Sequence, residues 1–164
     1  MDFVSIIMGS KSDFSVMNEC AEVLRKFQVP FELIISSAHR SPTRTQEYVI
    51  DAQERGAQVF IAAAGMAAHL AGNIAAHTCK PVIGVPLAGG ALDGLDSLLS
   101  TVQMPSSIPV ATLALGKAGA INAAYLAMQI LSLKNDELAG KLIQDRVMKA
   151  KKVELDSSEM EVRI

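Results

Sequence analysis

Apolar residues along the chain fall into five short runs, separated by longer segments in which apolar positions recur every three or four residues. The runs have the length of buried strands, and they are Phe3–Met8, Phe31–Ile35, Ala57–Ala63, Pro81–Pro86 and Val110–Leu113. The intervening periodicity predicts helices over Phe14–Phe27, Pro42–Arg55, Leu70–Cys79, Ser97–Val102, Ala118–Leu131 and Asn135–Lys152. This alternation predicts an α/β three-layer sandwich around a central, mainly parallel five-stranded sheet.

Length and the chain end set the predicted domain organisation. A chain of 164 residues has room for one domain with a sizeable core. The last helix is followed by an acidic segment from Glu154 to Ile164, which we expect to be loose. We therefore predict one α/β catalytic domain over residues 1–156 and a loose tail over 157–164.

Composition narrows the classes of partner. Half of the residues are hydrophobic and only 20% are charged, which favours burial of some apolar surface between subunits. A net charge of −2 and an aromatic content of 4% argue against a nucleic-acid surface. No apolar stretch has the length of a membrane span, so we expect no membrane association. Cys20 and Cys79 match no metal or redox spacing, so we predict reduced core thiols and a cytoplasmic location.

The loop after the first strand has the features of an anion site. It reads Gly9-Ser10-Lys11-Ser12-Asp13 and leads directly into a predicted helix, whose N-terminus favours a phosphate group. Asp13 can accept hydrogen bonds from sugar hydroxyls, while Gly9 allows close backbone approach. The spacing matches neither the phosphate-binding P-loop nor the dinucleotide fingerprint. On these residues alone, an ordinary helix cap explains the loop equally well.

The loop after the second strand carries the strongest candidates for chemistry. Ser37-Ala38-His39-Arg40 is followed by Ser41-Pro42, which suits a helix start, with Ser41 as a capping residue and Pro42 at the first helical position. An imidazole exchanges protons near neutral pH, and a guanidinium binds phosphate or carboxylate in a bidentate manner. Such a junction lies at the ligand-binding edge of an α/β sheet. A surface loop with two polar residues remains the alternative.

The loop after the third strand, Gly65 to Gly72, is rich in small residues that would let the backbone approach a flat ligand. A histidine such as His69, taken alone, is more often a structural residue than a catalytic one. His77 lies eight residues further on, about 12 Å along a helix, so the two imidazoles cannot share a metal ion. No set of His, Cys or carboxylate residues has a metal-binding spacing, and we predict no metal site.

Several motifs together resemble one family, the bacterial N5-carboxyaminoimidazole ribonucleotide mutases of purine biosynthesis. The likeness extends from Ile6 to about Leu142. The motifs occur in the family's order and are Gly9–Asp13, Ser37–Arg40, Ala67–Leu70, Gly84–Pro86, Asp96–Leu98, Val102–Pro105 and Gly116–Gly119. The chain departs from the family at Met66 and Ala71, where Gly and Pro are usual, and at Leu87–Gly90.

The resemblance implies a flavodoxin-like domain that assembles into a homo-octamer and needs no cofactor. It also implies transfer of a carboxylate from the exocyclic nitrogen of an aminoimidazole ribonucleotide to C4 of the ring. His39 is expected to act as general acid and base in a decarboxylation and recarboxylation. The remaining expected contacts to the substrate come from Gly9, Ser10, Ser12, Asp13, Ser37, Ala38, Arg40, Gly65, Ala68, His69 and Leu70.

Within this set, Ser10, Ser12 and Arg40 are expected to hold the 5'-phosphate. Asp13 is expected to bind the ribose, and His69 is expected to face the base or its carboxylate. Two other functions remain open. One is a CO2-dependent carboxylase of the same family, although Arg40 after the histidine resembles the mutase branch. The other is a non-catalytic nucleotide-binding domain, which would need the first loop but no titratable imidazole. A Rossmann dehydrogenase is disfavoured because the glycine fingerprint is absent.

Overall fold

A computed structural model describes residues 2–160 and 162, and in it the five predicted strands form one sheet. The strands are β1 (Phe3–Met8), β2 (Phe31–Ile35), β3 (Ala57–Gly65), β4 (Val82–Leu87) and β5 (Ala111–Thr112). Their spatial order is β2-β1-β3-β4-β5, and every neighbouring pair is parallel. This is the flavodoxin-like order, so the predicted fold class is confirmed.

Helices connect the strands and cover both faces of the sheet. A short 3-10 turn at Lys11–Asp13 leads into the first helix. The helices are α1 (Phe14–Lys26), α2 (Pro42–Arg55), α3 (Leu70–Ala75), α4 (Leu95–Val102), α5 (Gly116–Ser132) and α6 (Asp136–Met160). Across the described part of the chain, no helix combines the length and the apolar character needed to cross a membrane.

The central strands are buried because the sheet is covered on both sides. Phe60 and Ile61 of β3 are neighbours that point to opposite faces, and both are fully buried. The same holds for Ile6 and Ile7 of β1. Continuous apolar runs are therefore required here, rather than the alternating pattern of a half-exposed sheet.

Local signals at the ends of α2 act largely as predicted. Pro42 occupies the first turn, and Gly56 ends the helix in the left-handed conformation at φ 112°. Ser41 is the N-cap residue, but its side chain does not cap the helix, and that part of the prediction is wrong. Its hydroxyl instead donates to Ser37 O at 3.0 Å and accepts from Ser37 N–H at 3.2 Å. Ser41 therefore stabilises the loop that precedes the helix.

Helix α3 is shorter than predicted. It ends at Ala75 rather than at Cys79, and Thr78 lies beyond its end. The Thr78 hydroxyl donates to Gln53 Oε1 at 2.6 Å and accepts from Lys80 N–H at 2.9 Å. Cys20 is buried as predicted, whereas Cys79 lies beyond the helix and is exposed, so the prediction of a core thiol there is wrong.

The chain divides into two compact units, the first ending at Met128 and the second beginning at Gln129. In the second unit, Asn135 Oδ1 accepts from Leu138 N–H at 3.0 Å and caps α6. Helix α6 continues to Met160, beyond the predicted end at Lys152, while the expectation of a loose tail stays a prediction. An ion pair between Lys152 and Asp156, four residues apart, supports the extension. Residues 161, 163 and 164 of the predicted tail lie outside the described residues, and the predicted domain boundary at 156 stays a prediction.

Candidate active site

A cavity of about 530 Å³ opens at the carboxyl ends of the strands. The strand order reverses between β1 and β3, and an open α/β sheet binds ligands in the crevice at such a point. Four loops form the cavity, those that follow β1, β2, β3 and β4. Loops that are far apart in the sequence thus meet because their strands are parallel neighbours.

The loop after β1 is held by a capping box. Ser10 Oγ accepts from Ser12 N–H at 3.4 Å, and the Asp13 carboxylate accepts from Ser10 N–H at 2.9 Å. The Ser12 hydroxyl also donates to Ser10 Oγ at 3.0 Å. Both readings of this loop, as a cap and as a cavity wall, therefore apply to the same residues.

Burial affects the Asp13 carboxyl. Desolvation raises the pKa of Asp13 above its ordinary value, although hydrogen bonds from Ser10 and Ser12 and the charge of Arg40 act in the opposite direction. The carboxyl is thus partly removed from water where it faces the cavity. A ligand hydroxyl that donates to Asp13 would therefore meet a carboxyl group that is already partly desolvated.

The loop after β2 is fixed by a buried hydrogen bond at its start, and it carries Arg40, which contacts the loop after β1. Buried Ser36 and Thr45 share a hydrogen bond of 2.8 Å, which ties the end of β2 to α2. Arg40 Nη2 donates to Gly9 O at 3.0 Å, and Arg40 Nε donates to Ser37 Oγ at 3.4 Å. The guanidinium therefore links the first two loops and lies next to the capping box.

The two candidate imidazoles lie against each other. The rings of His39 and His69 are stacked, with centroids 4.8 Å apart and planes inclined by 26°. Both residues are exposed and both line the cavity. In this geometry the ring nitrogens of His39 are not directed at the face of His69.

The structure brings together nearly all of the predicted site residues. Each of them lines the cavity except Ala68, which is 3% exposed and borders a shallow depression beside the two histidines. Lys117, considered as a further ligand contact, is paired with Glu19 of α1 at 2.7 Å. The roles of the lining residues in substrate binding stay predictions. Among residues 2–160 and 162, no group of three His, Cys, Asp or Glu side chains is placed to hold a metal ion.

One wall of the cavity, formed by the residues after β4, was not predicted from the sequence. Leu87, Ala88, Gly89 and Gly90, which follow β4, line it together with Met66 from the loop after β3. Only the loops after the first three strands were expected to share an edge. A parallel β4 paired with β3 brings its own loop to that edge, so the strand pattern contained the signal.

Comparison with known proteins agrees with this geometry. The AIR carboxylase family model matches residues 3–152. The N5-carboxyaminoimidazole ribonucleotide mutase of Pyrococcus horikoshii is 54% identical over 158 residues, covering 96% of this chain and 88% of the relative. The Bacillus subtilis mutase is 52% identical over 156 residues, covering 95% and 96% of the two chains.

Solved structures give the same result. The crystal structure of Treponema denticola PurE superposes with a TM-score of 0.89 at 26% identity, covering 99% of this chain and 100% of the other. The family resemblance seen in the motifs is therefore confirmed over most of the chain. The chain belongs to the AIR carboxylase family.

Proposed function

We propose that this protein converts N5-carboxyaminoimidazole ribonucleotide into 4-carboxy-5-aminoimidazole ribonucleotide in purine biosynthesis. Curated relatives that carry the mutase name share 52–54% of its residues over nearly the whole chain. The observation that carries the proposal is the position of His39. It lies on the wall of the same cavity as the Ser10–Asp13 turn and Arg40, beside a second imidazole.

The reaction needs one proton to be delivered and one to be removed. Protonated His39 gives its proton to the exocyclic nitrogen as the bond from nitrogen to the carboxyl carbon breaks, and that electron pair returns to nitrogen. CO2 and the 5-aminoimidazole result. Ring C4 then attacks CO2, forming the new carbon–carbon bond, and neutral His39 removes the proton from C4. The imidazolium is restored, so the step is a net isomerisation catalysed by one residue.

The remaining cavity groups match the rest of the nucleotide. Arg40 and the hydroxyls of Ser10 and Ser12 can surround a phosphate near the start of α1. Asp13 accepts hydrogen bonds from ribose hydroxyls. Gly65 and its neighbours leave room for a flat ring beside His69. Charged, polar and flat parts of the substrate thus each have a counterpart, and no cofactor is needed in this scheme.

The proposal includes self-association into a homo-octamer. Helix α4 exposes an apolar face, with Leu95 55%, Leu99 50% and Val102 46% accessible. An exposed face of this kind marks an interaction surface in a protein whose charged fraction is only 20%. Light scattering of the purified protein should give a mass eight times that of the chain. A monomer at micromolar concentration would contradict this part of the proposal, which, like the cytoplasmic location, stays a prediction.

The catalytic assignment is tested with His39→Asn, which keeps polarity and approximate size but cannot accept and return a proton. Turnover of N5-carboxyaminoimidazole ribonucleotide should fall by roughly 10²–10⁴-fold, the usual contribution of a general acid and base. Product binding should be retained. His77→Asn is the matched control because His77 does not line the cavity. Near-normal turnover of His39→Asn would refute the assignment.

A second assay separates the mutase from a CO2-dependent carboxylase. The enzyme is given 5-aminoimidazole ribonucleotide and bicarbonate without ATP, in parallel with the N-carboxylated substrate. A mutase forms the 4-carboxy product efficiently only from the N-carboxylated substrate. Equal efficiency in both reactions would instead favour the carboxylase, and binding without turnover would favour a non-catalytic domain.

A further inference from the structure

Asn73 carries a buried acceptor that no donor in residues 2–160 and 162 satisfies. The residue lies on α3, and its side-chain oxygen Oδ1 is buried without a hydrogen-bond partner. A buried carbonyl oxygen of this kind is unfavourable, because it has lost its contact with water and gained no donor in exchange. The cost of removing the oxygen from water is already included in the fold, so a donor that reaches it gains a hydrogen bond cheaply.

Helical spacing places the Asn73 amide beside the His69 imidazole. The backbone N–H of Asn73 donates to His69 O at 2.9 Å, which is the relation between residues four apart in an α-helix. Side chains with this spacing lie on the same face of a helix. Helical side chains also lean toward the N-terminus, so the side chain of Asn73 leans toward the turn that His69 begins.

The hydroxyl groups at the neighbouring end of α4 are already engaged. Met104, just after α4, approaches α3 at Gly72, where an added β-carbon would lie 3.2 Å from Met104 Sδ. The hydroxyls of Ser100 and Thr101 each donate to a carbonyl four residues earlier in their own helix, both at 2.7 Å. By contrast, the imidazole of His69 has a ring contact but no side-chain hydrogen bond within the described part of the chain.

We propose that Asn73 is a positioning residue for His69, and that its Oδ1 accepts a hydrogen bond from the His69 ring when a nucleotide occupies the cavity. The inference rests on the proposed function. In the free protein His69 is exposed, so water competes for its N–H. A ligand in the cavity that His69 lines displaces this water, and the buried amide oxygen becomes the better partner. The bond fixes the tautomer and the rotation of the ring that lies against His39.

Two substitutions separate the acceptor from the volume of the side chain. Asn73→Leu is similar in shape but has no acceptor. Its melting temperature should not fall below that of wild type, because Oδ1 has no partner in the free protein. Asn73→Asp keeps an oxygen at the same place. Asn122→Leu is the matched control, since Asn122 is exposed on α5 and does not line the cavity.

The first readout is conversion of N5-carboxyaminoimidazole ribonucleotide. In Asn73→Leu, kcat/KM should fall roughly 2- to 12-fold, which corresponds to one hydrogen bond. Asn73→Asp should restore most of this loss, and Asn122→Leu should match wild type. The second readout needs no variant. A crystal structure of wild type with 4-carboxy-5-aminoimidazole ribonucleotide should place Asn73 Oδ1 within about 3.2 Å of a ring nitrogen of His69.

Each contrary result has a defined meaning. A separation clearly beyond hydrogen-bond distance in the complex would overturn the inference, as would unchanged kcat/KM in Asn73→Leu. An equal loss in Asn73→Asp would also overturn it, because the amide would then act as a donor. A lower melting temperature of Asn73→Leu would show that the amide stabilises the fold instead. Absence of any 4-carboxy product from wild type would refute the proposed function, on which the inference rests.

Discussion

Replacing Arg40 with alanine should weaken binding of a 5'-phosphorylated ligand far more than binding of the same ligand without its phosphate. In the free protein the guanidinium donates to two neutral acceptors, Gly9 O at 3.0 Å and Ser37 Oγ at 3.4 Å. A guanidinium carries five N–H donors, so others remain for an incoming anion. The residue is also already held beside the capping box by these two contacts. Little reorganisation is then required when phosphate binds.

The size of the effect follows from the contact type. A hydrogen bond between charged groups contributes about 1.5–3 kcal/mol, and the exposed position of Arg40 favours the lower half for each bond. With a bidentate contact discounted for solvent, we expect about 2–3 kcal/mol, which is roughly a 30- to 140-fold increase in Kd. Arg40→Lys keeps the charge but loses the planar fork, so its loss should be intermediate.

Isothermal titration with 4-carboxy-5-aminoimidazole ribonucleotide and with the corresponding nucleoside measures both affinities. Arg44→Ala is the control, because Arg44 is exposed on α2 and does not line the cavity. Arg40→Ala should change the affinity for the nucleotide while the affinity for the nucleoside stays nearly constant. An equal loss for both ligands would show that Arg40 does not contact the phosphate, and no loss for either would remove it from the site.

Three further predictions concern stability and the carboxyl groups. Tyr48→Phe should lower the free energy of unfolding, measured by urea denaturation, by about 1–3 kcal/mol. The reason is that the fully buried Ser5 hydroxyl loses its hydrogen-bond partner, the Tyr48 hydroxyl at 2.9 Å. A change within experimental error would show that Ser5 finds another hydrogen-bond partner. Hydrogen bonds from Arg55 lower the pKa of Glu32 below its ordinary 4.5, so its contribution to stability is present above that pH and lost as the pH falls through the lowered pKa. The stability difference between wild type and Glu32→Gln should therefore shrink under acid, and a constant difference from pH 7 downwards would contradict this. Asp13→Asn should change the free energy of unfolding by less than about 1 kcal/mol, since burial already disfavours the charged form of the carboxyl. The same substitution should raise the Kd for the ribonucleotide roughly tenfold, measured by calorimetric titration. An unchanged affinity would show that the ribose binds elsewhere.

The strands and three of the four cavity loops could be predicted from the sequence for a physical reason. A strand buried on both faces must be apolar throughout, so each run ends where polar or small residues begin. In a parallel sheet those ends share one edge, which is why Asp13, His39 and His69 were expected together. The loop at Leu87–Gly90 has few polar atoms, and its contribution to the cavity is shape rather than chemistry.

Other features depend on contacts that periodicity does not encode. Alanine-rich α3 gives no apolar stripe to mark its end at Ala75, and beyond it Thr78 bonds to Gln53 of α2. The stacking of His39 on His69 depends on how the loops after β2 and β3 are positioned relative to each other, and spacing along the chain does not determine this. Likewise, the approach of Met66 to Gly90 depends on two left-handed residues in separate loops.

Two glycines in the motifs of family likeness serve packing rather than the site. A β-carbon on Gly84 would lie 2.4 Å from Thr101 Cγ2, and one on Gly119 would lie 1.7 Å from Ala114 O, so neither position tolerates a side chain. Neither glycine lines the cavity. Such positions identify the fold and would be the same in a relative with different chemistry. Only the residues that line the cavity therefore bear on the chemistry of the site. There His39, Arg40 and Asp13 line the cavity as the family motifs predict, while Met66 stands where the family usually has Gly.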